Sequence, residues 1–348
     1  MRKISMLSFI IAALLLVGCA GGAETPPAVD APQNDTSTLP DFSGRIITFA
    51  NAGWDSAAFH NAVAGFIAVE GFGYGGWYDF NASTPVLHEG LLRGEVDIQM
   101  ESWVENTLDF FPGDVEAGLI QEFGVNFDDN AQGLYVPRFV IYGDPVRGIE
   151  PMAPTLRTVQ DLARYAHVFP DPETPGRGRI YGAIPGWAVD QIMYNKIVYN
   201  ELDTYFEYFR PGSEAAMNAN FANAYERGEA IVGYYWEPTW LLGMYDFVLL
   251  EDFPFTNDDD FTAGRTEFPA VTVVIATSNL FADENPEFVE FLRRYRTTSA
   301  MINEALAYMG QTGASHADTA EWFLRNNPQL IDEWLDPDQA QAVRSALE

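Results

Sequence analysis

The sequence predicts an α/β protein made of two consecutive modules of alternating strands and helices, followed by a helical tail. Three observations lead to this prediction. Short runs rich in β-branched and aromatic residues alternate with helical patterns between residues 46 and 137, the alternation begins again near residue 159, and residues 286–348 have a helical pattern. Alternating strands and helices are typical of βαβ units, which build a mostly parallel sheet.

The first module begins with a strand. The apolar run at residues 46–50 predicts a buried strand, and Asp55 or Ser56 can cap a helix over residues 57–70 that ends before Gly73. The elements that follow are predicted as a strand at 77–80, a helix at 84–93, a strand at 96–100 and a strand at 133–137.

The second module repeats this order and leads into the tail. Its elements are predicted as a helix at 159–165, a loop at 170–178, a strand at 179–183, helices at 189–200 and 213–227, and strands at 230–235 and 271–276. The helical tail is interrupted near residues 310–313 by glycines and near residue 328 by a proline.

The N-terminus has the pattern of a bacterial lipoprotein signal. Two basic residues precede an apolar run at residues 4–17, which is shorter than the roughly 20 residues that a membrane-spanning helix needs. The run ends at the motif LVGC, residues 16–19, which resembles the lipobox whose cysteine is acylated after cleavage. We therefore predict a lipoprotein signal peptide at residues 1–18 and a lipid on Cys19, the single cysteine of the chain. The alternative is a free cysteine in an ordinary signal peptide.

Residues 19–41 are rich in Ala, Pro, Gly, Asp and Thr and contain no aromatic residue. Such a composition cannot bury a hydrophobic core, so this segment is predicted to be a flexible tether. Together with the lipobox it predicts an extracytoplasmic protein that is anchored to the cell membrane through a lipid. Whether it faces a periplasm or the cell surface is left open.

Composition limits the possible partners. Without the signal peptide the chain has 348 − 18 = 330 residues, enough for one large domain or two of ordinary size. The formal net charge is −31, from 50 acidic and 19 basic residues. Such a charge repels nucleic acid and anionic lipid headgroups, and it modestly favours the approach of cations. Because the acidic residues are spread along the whole chain, adaptation to a saline or acidic exterior is the favoured cause of this charge.

Four tryptophans follow predicted strands in the two modules. They are Trp54, Trp103, Trp187 and Trp236. Ligands of open α/β sheets bind at the carboxyl ends of strands. A quaternary ammonium has no N–H to donate, so proteins hold it against aromatic faces that are each worth roughly 0.5–2 kcal/mol when desolvated. We therefore predict an aromatic cage for such a cation. The alternative is that these tryptophans belong to the core.

Motifs for other chemistry are missing from the sequence. It contains no HExxH, no GxSxG, no P-loop and no dinucleotide-binding glycine motif. The four histidines are far apart and lack the spacing of metal ligands; they are His60, His88, His167 and His316. We therefore predict no metal, no cofactor and no enzymatic activity. A lipid-anchored hydrolase with a pair of carboxylates is the alternative, because acidic residues are so numerous.

Several stretches together resemble a known family. From about Ile46 to Leu335 the chain is similar to the glycine betaine/choline class of substrate-binding proteins that serve ATP-binding-cassette (ABC) importers. The stretches that carry this resemblance are GWDSAAFHNAV, GEVDIQMESWVENT, QGLYVPRF, IYGAIPGWAVDQ, GSEAAMNANFANAY, IVGYYWEPTWLLGMYDFVLLED and FPAVTVVIATSNLFADENPEFVEFL.

The resemblance implies a type II periplasmic-binding-protein fold, with two lobes that close about a hinge of two crossing strands. The expected division is lobe I at 42–137 plus 269–348, lobe II at 138–268, and hinge strands at Gly133–Pro137 and Val271–Ala276. The implied function is the capture of a quaternary ammonium compound, such as glycine betaine or choline, for an ABC permease. A sensor lipoprotein on the same fold is a further alternative.

The resemblance also implies which residues contact the ligand. The cage tryptophans of the family correspond best to Trp54, Trp103 and Trp236, with Trp187 and Tyr135 as further candidates. Backbone N–H groups near Asp55 and Gly186 would bind a ligand carboxylate. Many relatives have Trp-x-Pro-His, whereas this chain has Trp-Glu-Pro-Thr at residues 236–239. The missing histidine makes a cation without a carboxylate as plausible as glycine betaine.

Overall fold

The structure is a computed structural model that describes residues 42–348. The predicted signal peptide and nearly all of the tether, residues 1–41, lie outside the described residues. Within residues 42–348, ten strands form two sheets: β1 (Ile46–Asn51), β2 (Gly76–Asn81), β3 (Ile98–Trp103), β4 (Ile120–Phe127), β5 (Ala131–Pro137), β6 (Gly178–Tyr181), β7 (Phe206–Phe209), β8 (Gly233–Glu237), β9 (Phe247–Leu249) and β10 (Val273–Ser278). The first sheet has the order β2-β1-β3-β10-β4 and the second the order β7-β6-β8-β5-β9.

Fourteen α-helices cover the sheets within the described residues. They are α1 (Asp55–Phe72), α2 (Thr84–Arg93), α3 (Phe111–Glu116), α4 (Arg138–Tyr142), α5 (Val189–Tyr199), α6 (Glu214–Arg227), α7 (Trp240–Met244), α8 (Asp258–Thr262), α9 (Asn279–Glu284), α10 (Pro286–Arg294), α11 (Ser299–Thr312), α12 (His316–Asn326), α13 (Pro328–Trp334) and α14 (Pro337–Leu347). Short 3₁₀ helices occur at Val104–Thr107, Val159–Val168 and Leu202–Thr204. None of the helices in residues 42–348 is long and apolar enough to cross a bilayer.

Glycines end the helices that lead back to the sheets. Helix α1 stops at Gly73 (φ 77°), α2 at Gly94 (φ 69°) and α6 at Gly228 (φ 70°), all in the left-handed conformation that glycine adopts without strain. These positions agree with the sequence prediction. The region predicted as a helix at 159–165 forms the 3₁₀ helix at 159–168 instead.

The two sheets are mixed, which corrects the prediction of a mostly parallel sheet. In the first sheet β1 is parallel to β2 and β3, whereas β10 is antiparallel to β3 and β4. In the second, β6 is parallel to β7 and β8, whereas β5 is antiparallel to β8 and β9. Strands β5 and β10 are the first that the chain forms after passing from one sheet to the other. The antiparallel pairs therefore come from the segments that connect the sheets.

Strand β5 belongs to the second sheet. Sequence analysis assigns residues up to 137 to lobe I, but residues 131–137 hydrogen-bond to β8 and β9. This pairing moves the boundary to about residue 130. Strand β10 belongs to the first sheet, where it lies between β3 and β4. We therefore propose residues 131–268 as lobe II, and we keep the rest of the predicted division as a proposal.

Candidate functional site

A cavity lies between the strand ends of the two sheets. It encloses about 450 Å³ of space between atoms, part of it open to solvent. Five of its twelve lining residues are aromatic and one is charged; the lining comprises Trp54, Thr84, Gln99, Glu101, Trp103, Asn106, Thr107, Trp187, Ala188, Val189, Tyr234 and Trp236. All four tryptophans that the sequence analysis selected therefore line a single cavity.

Each sheet contributes two of these tryptophans. Trp54 follows β1 and Trp103 ends β3 in the first sheet. Trp187 lies in the segment between β6 and α5, and Trp236 lies in β8 of the second sheet. Bringing the two sheets together therefore completes the aromatic lining, and neither sheet provides it alone.

The indole rings meet edge to face. The ring centroids of Trp54 and Trp187 are 5.5 Å apart at 89°, and those of Trp187 and Trp236 are 5.0 Å apart at 89°. Tyr234 stacks on Trp236 at 5.8 Å and 18°. Rings at right angles present faces in several directions, which is the arrangement that surrounds a compact cation with negative π surfaces.

Glu101 holds the two tryptophans of the first sheet. Its Oε2 accepts hydrogen bonds from Trp54 Nε1 at 2.6 Å, from Trp103 Nε1 at 3.1 Å and from Ser56 Oγ at 3.2 Å. The side chain is fully buried, and burial raises the pKa of its carboxyl to about 7 despite these three donors. Glu101 lies two residues before Trp103 on β3, so both side chains project from the same face of the strand.

Behind Glu101 lies a buried histidine. His60 Nε2 is 3.5 Å from Glu101 Oε1, and neither of these two atoms has a hydrogen-bond partner among the described residues. The other ring nitrogen of His60 contacts the hydroxyl of Tyr295 at 2.7 Å. Burial lowers the pKa of His60 to about 3, so the imidazole is neutral at ordinary pH. Of these two side chains, the one whose charge changes near neutral pH is therefore Glu101.

A second buried carboxyl connects the two halves of the molecule, each of which consists of one sheet and the helices around it. Glu214, the first residue of α6, accepts the backbone N–H of Asp55 at 2.7 Å. Burial raises the pKa of Glu214 well above its usual range, and the nearby Asp55 and Glu101 carboxylates act in the same direction. Asp55 itself contacts His316 Nε2 at 3.2 Å.

Two further hydrogen bonds connect the halves next to the cavity. Trp187 Nε1 donates to the Ala52 carbonyl at 2.9 Å, and the Thr84 N–H donates to the Gly186 carbonyl at 3.0 Å. Gly186 has a φ of 96°, and a β-carbon there would lie 3.0 Å from the Ser83 side chain. Glycine therefore permits both the turn and the close approach of the two halves.

Two predicted residues do not line the cavity. The carboxylate of Asp55 faces His316, and Gly186 contributes its carbonyl to the contact with Thr84. Two of the N–H groups near Asp55 and Gly186 are engaged, because that of Asp55 donates to Glu214 and that of Trp187 donates to the Ile184 carbonyl at 3.1 Å.

Tyr135 faces the other side of the second sheet, which corrects the prediction that it joins the cage. It pairs with Gly233 across β5 and β8, and it lines a separate cavity together with Glu237. Tyr234 and Trp236 point to the opposite face because neighbouring strand side chains alternate. Glu237 precedes Pro238 in the Trp-Glu-Pro-Thr motif and lies on the same face of the sheet as Tyr135. Its side chain therefore points away from the tryptophans.

Sequence reasoning missed Glu101 and Tyr234. Both lie two residues before a selected tryptophan on a strand, Trp103 and Trp236 respectively, and this spacing is the signal that could have found them. Glu214 gave no such signal, because its contact with Asp55 joins residues that are 159 positions apart.

Two mixed α/β sheets with a tryptophan-lined cavity between their strand ends define a two-lobe binding protein of the type II periplasmic class. The model of the family described as the substrate-binding domain of the ABC-type glycine betaine transport system matches residues 45–326. This chain belongs to that family. The family resemblance predicted from the sequence is thereby confirmed.

Solved structures support the fold. An ABC-transporter choline-binding protein in complex with choline is 21% identical, with a TM-score of 0.69, 87% of this chain covered and 98% of that chain. The glycine/betaine/L-proline-binding protein ProX from Borrelia burgdorferi is 17% identical, with a TM-score of 0.67 and coverages of 86% and 100%. Lactococcal OpuAC complexed with glycine betaine is 17% identical, with a TM-score of 0.64 and coverages of 84% and 99%. The search of curated proteins gave no match.

Proposed function

We propose that this protein captures a small quaternary ammonium compound in the tryptophan-lined cavity and delivers it to the permease of an ABC transporter. The observation that carries this proposal is the set of four indoles, two from each sheet, around one cavity. Among the residues that line it in the described part of the chain there is no Arg, Lys or His. Such a lining attracts a cation and offers no charged partner to an anion.

The aromatic lining provides enough free energy for useful affinity. Each desolvated ring face contributes roughly 0.5–2 kcal/mol to holding a cation. Three or four faces, together with apolar contact, can supply much of the roughly 8 kcal/mol that micromolar binding requires. The uncharged polar side chains around the cavity, Thr84, Gln99 and Asn106, can accept or donate hydrogen bonds to the rest of the solute.

The geometry does not favour a hydrolase. A glycosidase needs two carboxyl groups that flank the reacting bond, roughly 5–9.5 Å apart. Of the residues that line the cavity in the described part of the chain, only Glu101 carries a carboxyl group, and its Oε2 is already bonded to three donors. Family membership identifies a solute-binding protein, which is consistent with the prediction of no enzymatic activity. A sensor on the same fold would use the same cavity, and an adjacent permease gene would distinguish transport from sensing.

Calorimetric titration of the mature protein tests the proposed function. We expect choline, tetramethylammonium or glycine betaine to bind with a dissociation constant in the micromolar range, because each presents methylated nitrogen to the ring faces. Ethanolamine, which matches choline except for its three methyl groups, should bind at least tenfold more weakly, because its strongly hydrated ammonium loses more on desolvation. No heat with any methylated compound up to millimolar concentration, or equal affinity for ethanolamine and choline, would contradict the proposal.

Lipid anchoring belongs to the same proposal and rests on the LVGC motif, residues 16–19. Cys19→Ala should remove the acylated thiol, so the protein should leave the membrane fraction and lose metabolic labelling with palmitate. Ser8→Ala, in the same apolar run, should leave both unchanged. Unaltered labelling of the Cys19→Ala variant would rule out a lipid on this residue.

A further inference from the structure

We propose that the ionised side chain of Glu101 makes the cavity selective for solutes with a net positive charge, such as choline, over zwitterions such as glycine betaine. This inference rests on the proposed function of the cavity. It goes beyond that function because the aromatic cage alone does not explain a preference among solutes. The inference assigns that preference to Glu101, which lies behind the rings.

Glu101 contacts both of the tryptophans that the first sheet contributes to the cage. One oxygen, Oε2, accepts both indole N–H groups, from Trp54 at 2.6 Å and from Trp103 at 3.1 Å. A carboxylate at this position fixes the planes of both rings and adds negative potential behind them. Because the side chain is fully buried, water screens that potential weakly, and a cation between the rings experiences it.

A zwitterion gains much less from the same carboxylate. Its own carboxylate lies a few atoms from its ammonium, so repulsion from Glu101 offsets the attraction. No basic side chain lines the cavity in the described part of the chain. Of the N–H groups near Asp55 and Gly186, that of Asp55 is engaged with Glu214 at 2.7 Å and that of Trp187 with Ile184 at 3.1 Å. A hydroxyl, by contrast, can donate to the side-chain oxygen of Gln99, whose Nε2 is bonded to the Glu101 carbonyl at 3.1 Å.

The protonation of Glu101 connects this selectivity to pH. Its pKa of about 7 in the protein without ligand means that the carboxylate and the acid coexist near neutral pH. A bound cation favours the carboxylate, so binding lowers the pKa and releases a proton. The affinity for a cation is therefore at its maximum above about pH 7, and it falls as the pH drops below that value, by up to roughly tenfold per pH unit.

Three other titratable groups face Glu101, each from a different segment. His60 on α1 is neutral because burial lowers its pKa to about 3. Tyr295, which follows α10, is neutral because burial raises its pKa. Glu214 on α6 is a buried carboxyl whose pKa is also raised. Glu214 is therefore the group that could produce a similar pH dependence, and the experiment has to separate it from Glu101.

The test compares choline with glycine betaine in the wild type, Glu101→Gln and Glu214→Gln by calorimetric titration at pH 5.5, 7.0 and 8.5. Glutamine retains an oxygen that accepts the indole N–H groups but carries no charge. Wild type should prefer choline by at least tenfold at pH 8.5 and lose that preference at pH 5.5. Glu101→Gln should weaken choline binding by roughly 10- to 30-fold at pH 8.5, leave betaine binding within about threefold and remove the pH dependence. Glu321→Gln, which removes one exposed charge from α12, should behave as wild type.

Several outcomes would overturn the inference. Equal losses for choline and betaine in Glu101→Gln would show that Glu101 only positions the rings. A pH dependence that persists in Glu101→Gln and disappears in Glu214→Gln would assign the titration to Glu214. If Glu101→Gln does not fold, wild type alone decides: titration at pH 7.0 in two buffers of different ionisation enthalpy should show proton release with choline and less with betaine, and equal release would contradict us. Failure of both solutes to bind wild type would instead disprove the proposed function.

Discussion

Replacing Trp187 by alanine is expected to weaken solute binding by about 2–4 kcal/mol, or roughly 30- to 1000-fold in affinity. The Trp187 ring is the one that meets both Trp54, at 5.5 Å, and Trp236, at 5.0 Å, so its loss opens the cage on two sides. The substitution also removes the indole N–H that donates to the Ala52 carbonyl at 2.9 Å across the two halves. Titration with choline or tetramethylammonium measures the effect.

The same variant distinguishes a cage residue from a core residue. If Trp187 lines a cleft, its loss should change the denaturant midpoint only slightly, whereas a core tryptophan replaced by alanine costs about 3–5 kcal/mol of stability. Trp187→Phe should lose less affinity than the alanine variant because a π face remains. Trp322 is the matched control, because it does not line the cavity and its ring stacks on that of Tyr308 with a centroid separation of 4.3 Å. Trp322→Ala should keep full affinity. Full affinity with a collapsed midpoint in Trp187→Ala would place this residue in the core.

Replacing Lys196 by methionine is expected to lower the free energy of unfolding by about 3–5 kcal/mol. Lys196 is 1% exposed, it forms an ion pair with Asp252, and it donates to the Thr266 carbonyl at 2.5 Å. Burial lowers the pKa of this lysine, although the Asp252 carboxylate acts in the opposite direction. Methionine fills the same space but removes the cation that compensates the Asp252 carboxylate, which keeps only the hydrogen bonds donated by Gln160 Nε2 at 2.7 Å and by the Phe253 N–H at 2.9 Å. Denaturant unfolding monitored by circular dichroism measures the loss.

Two controls separate the cost of the unpaired charge from other effects. The double variant Lys196→Met with Asp252→Leu should recover most of the lost stability, because an apolar pair needs no charge compensation. Arg93→Met removes an exposed ion pair with Glu89 and Glu95 and should leave the unfolding midpoint unchanged. A double variant as unstable as Lys196→Met alone would show that packing, and not the unpaired carboxylate, determines the loss.

The elements that could be predicted are those whose signals are local. Helix α1 is apolar and buried on nearly all sides, helix α2 has an apolar face, and the two end at Gly73 and Gly94, so residues within one segment define them. Strand β4 was not predicted, because Gly124 interrupts its apolar pattern and its pairing with β10 shifts register at two places. Strands β7 and β9, with 4 and 3 residues, are too short to show a period of two.

In the candidate site, too, the residues that could be predicted are those with a local signal in the sequence. The four tryptophans could be selected because each lies at or just beyond a predicted strand end, and the structure places all of them around one cavity. The face of β5 that Tyr135 occupies could not be predicted, because this strand joins the second sheet antiparallel to β8, and that pairing is a long-range event. The hydrogen bond between Asp55 and Glu214 could not be predicted for the same reason, because no local sequence pattern indicates it.

Two of the hydrogen bonds that join the halves have an evolutionary consequence. The bonds of Thr84 with Gly186 and of Asp55 with Glu214 involve none of the four indoles. Apparent affinity is proportional to the fraction of molecules in the binding-competent state, so strengthening these bonds would tighten binding of every solute by one common factor. Substitutions around the indoles would instead change one solute relative to another. A lineage of such proteins can therefore adjust how scarce a nutrient it scavenges and which nutrient it prefers through separate mutations.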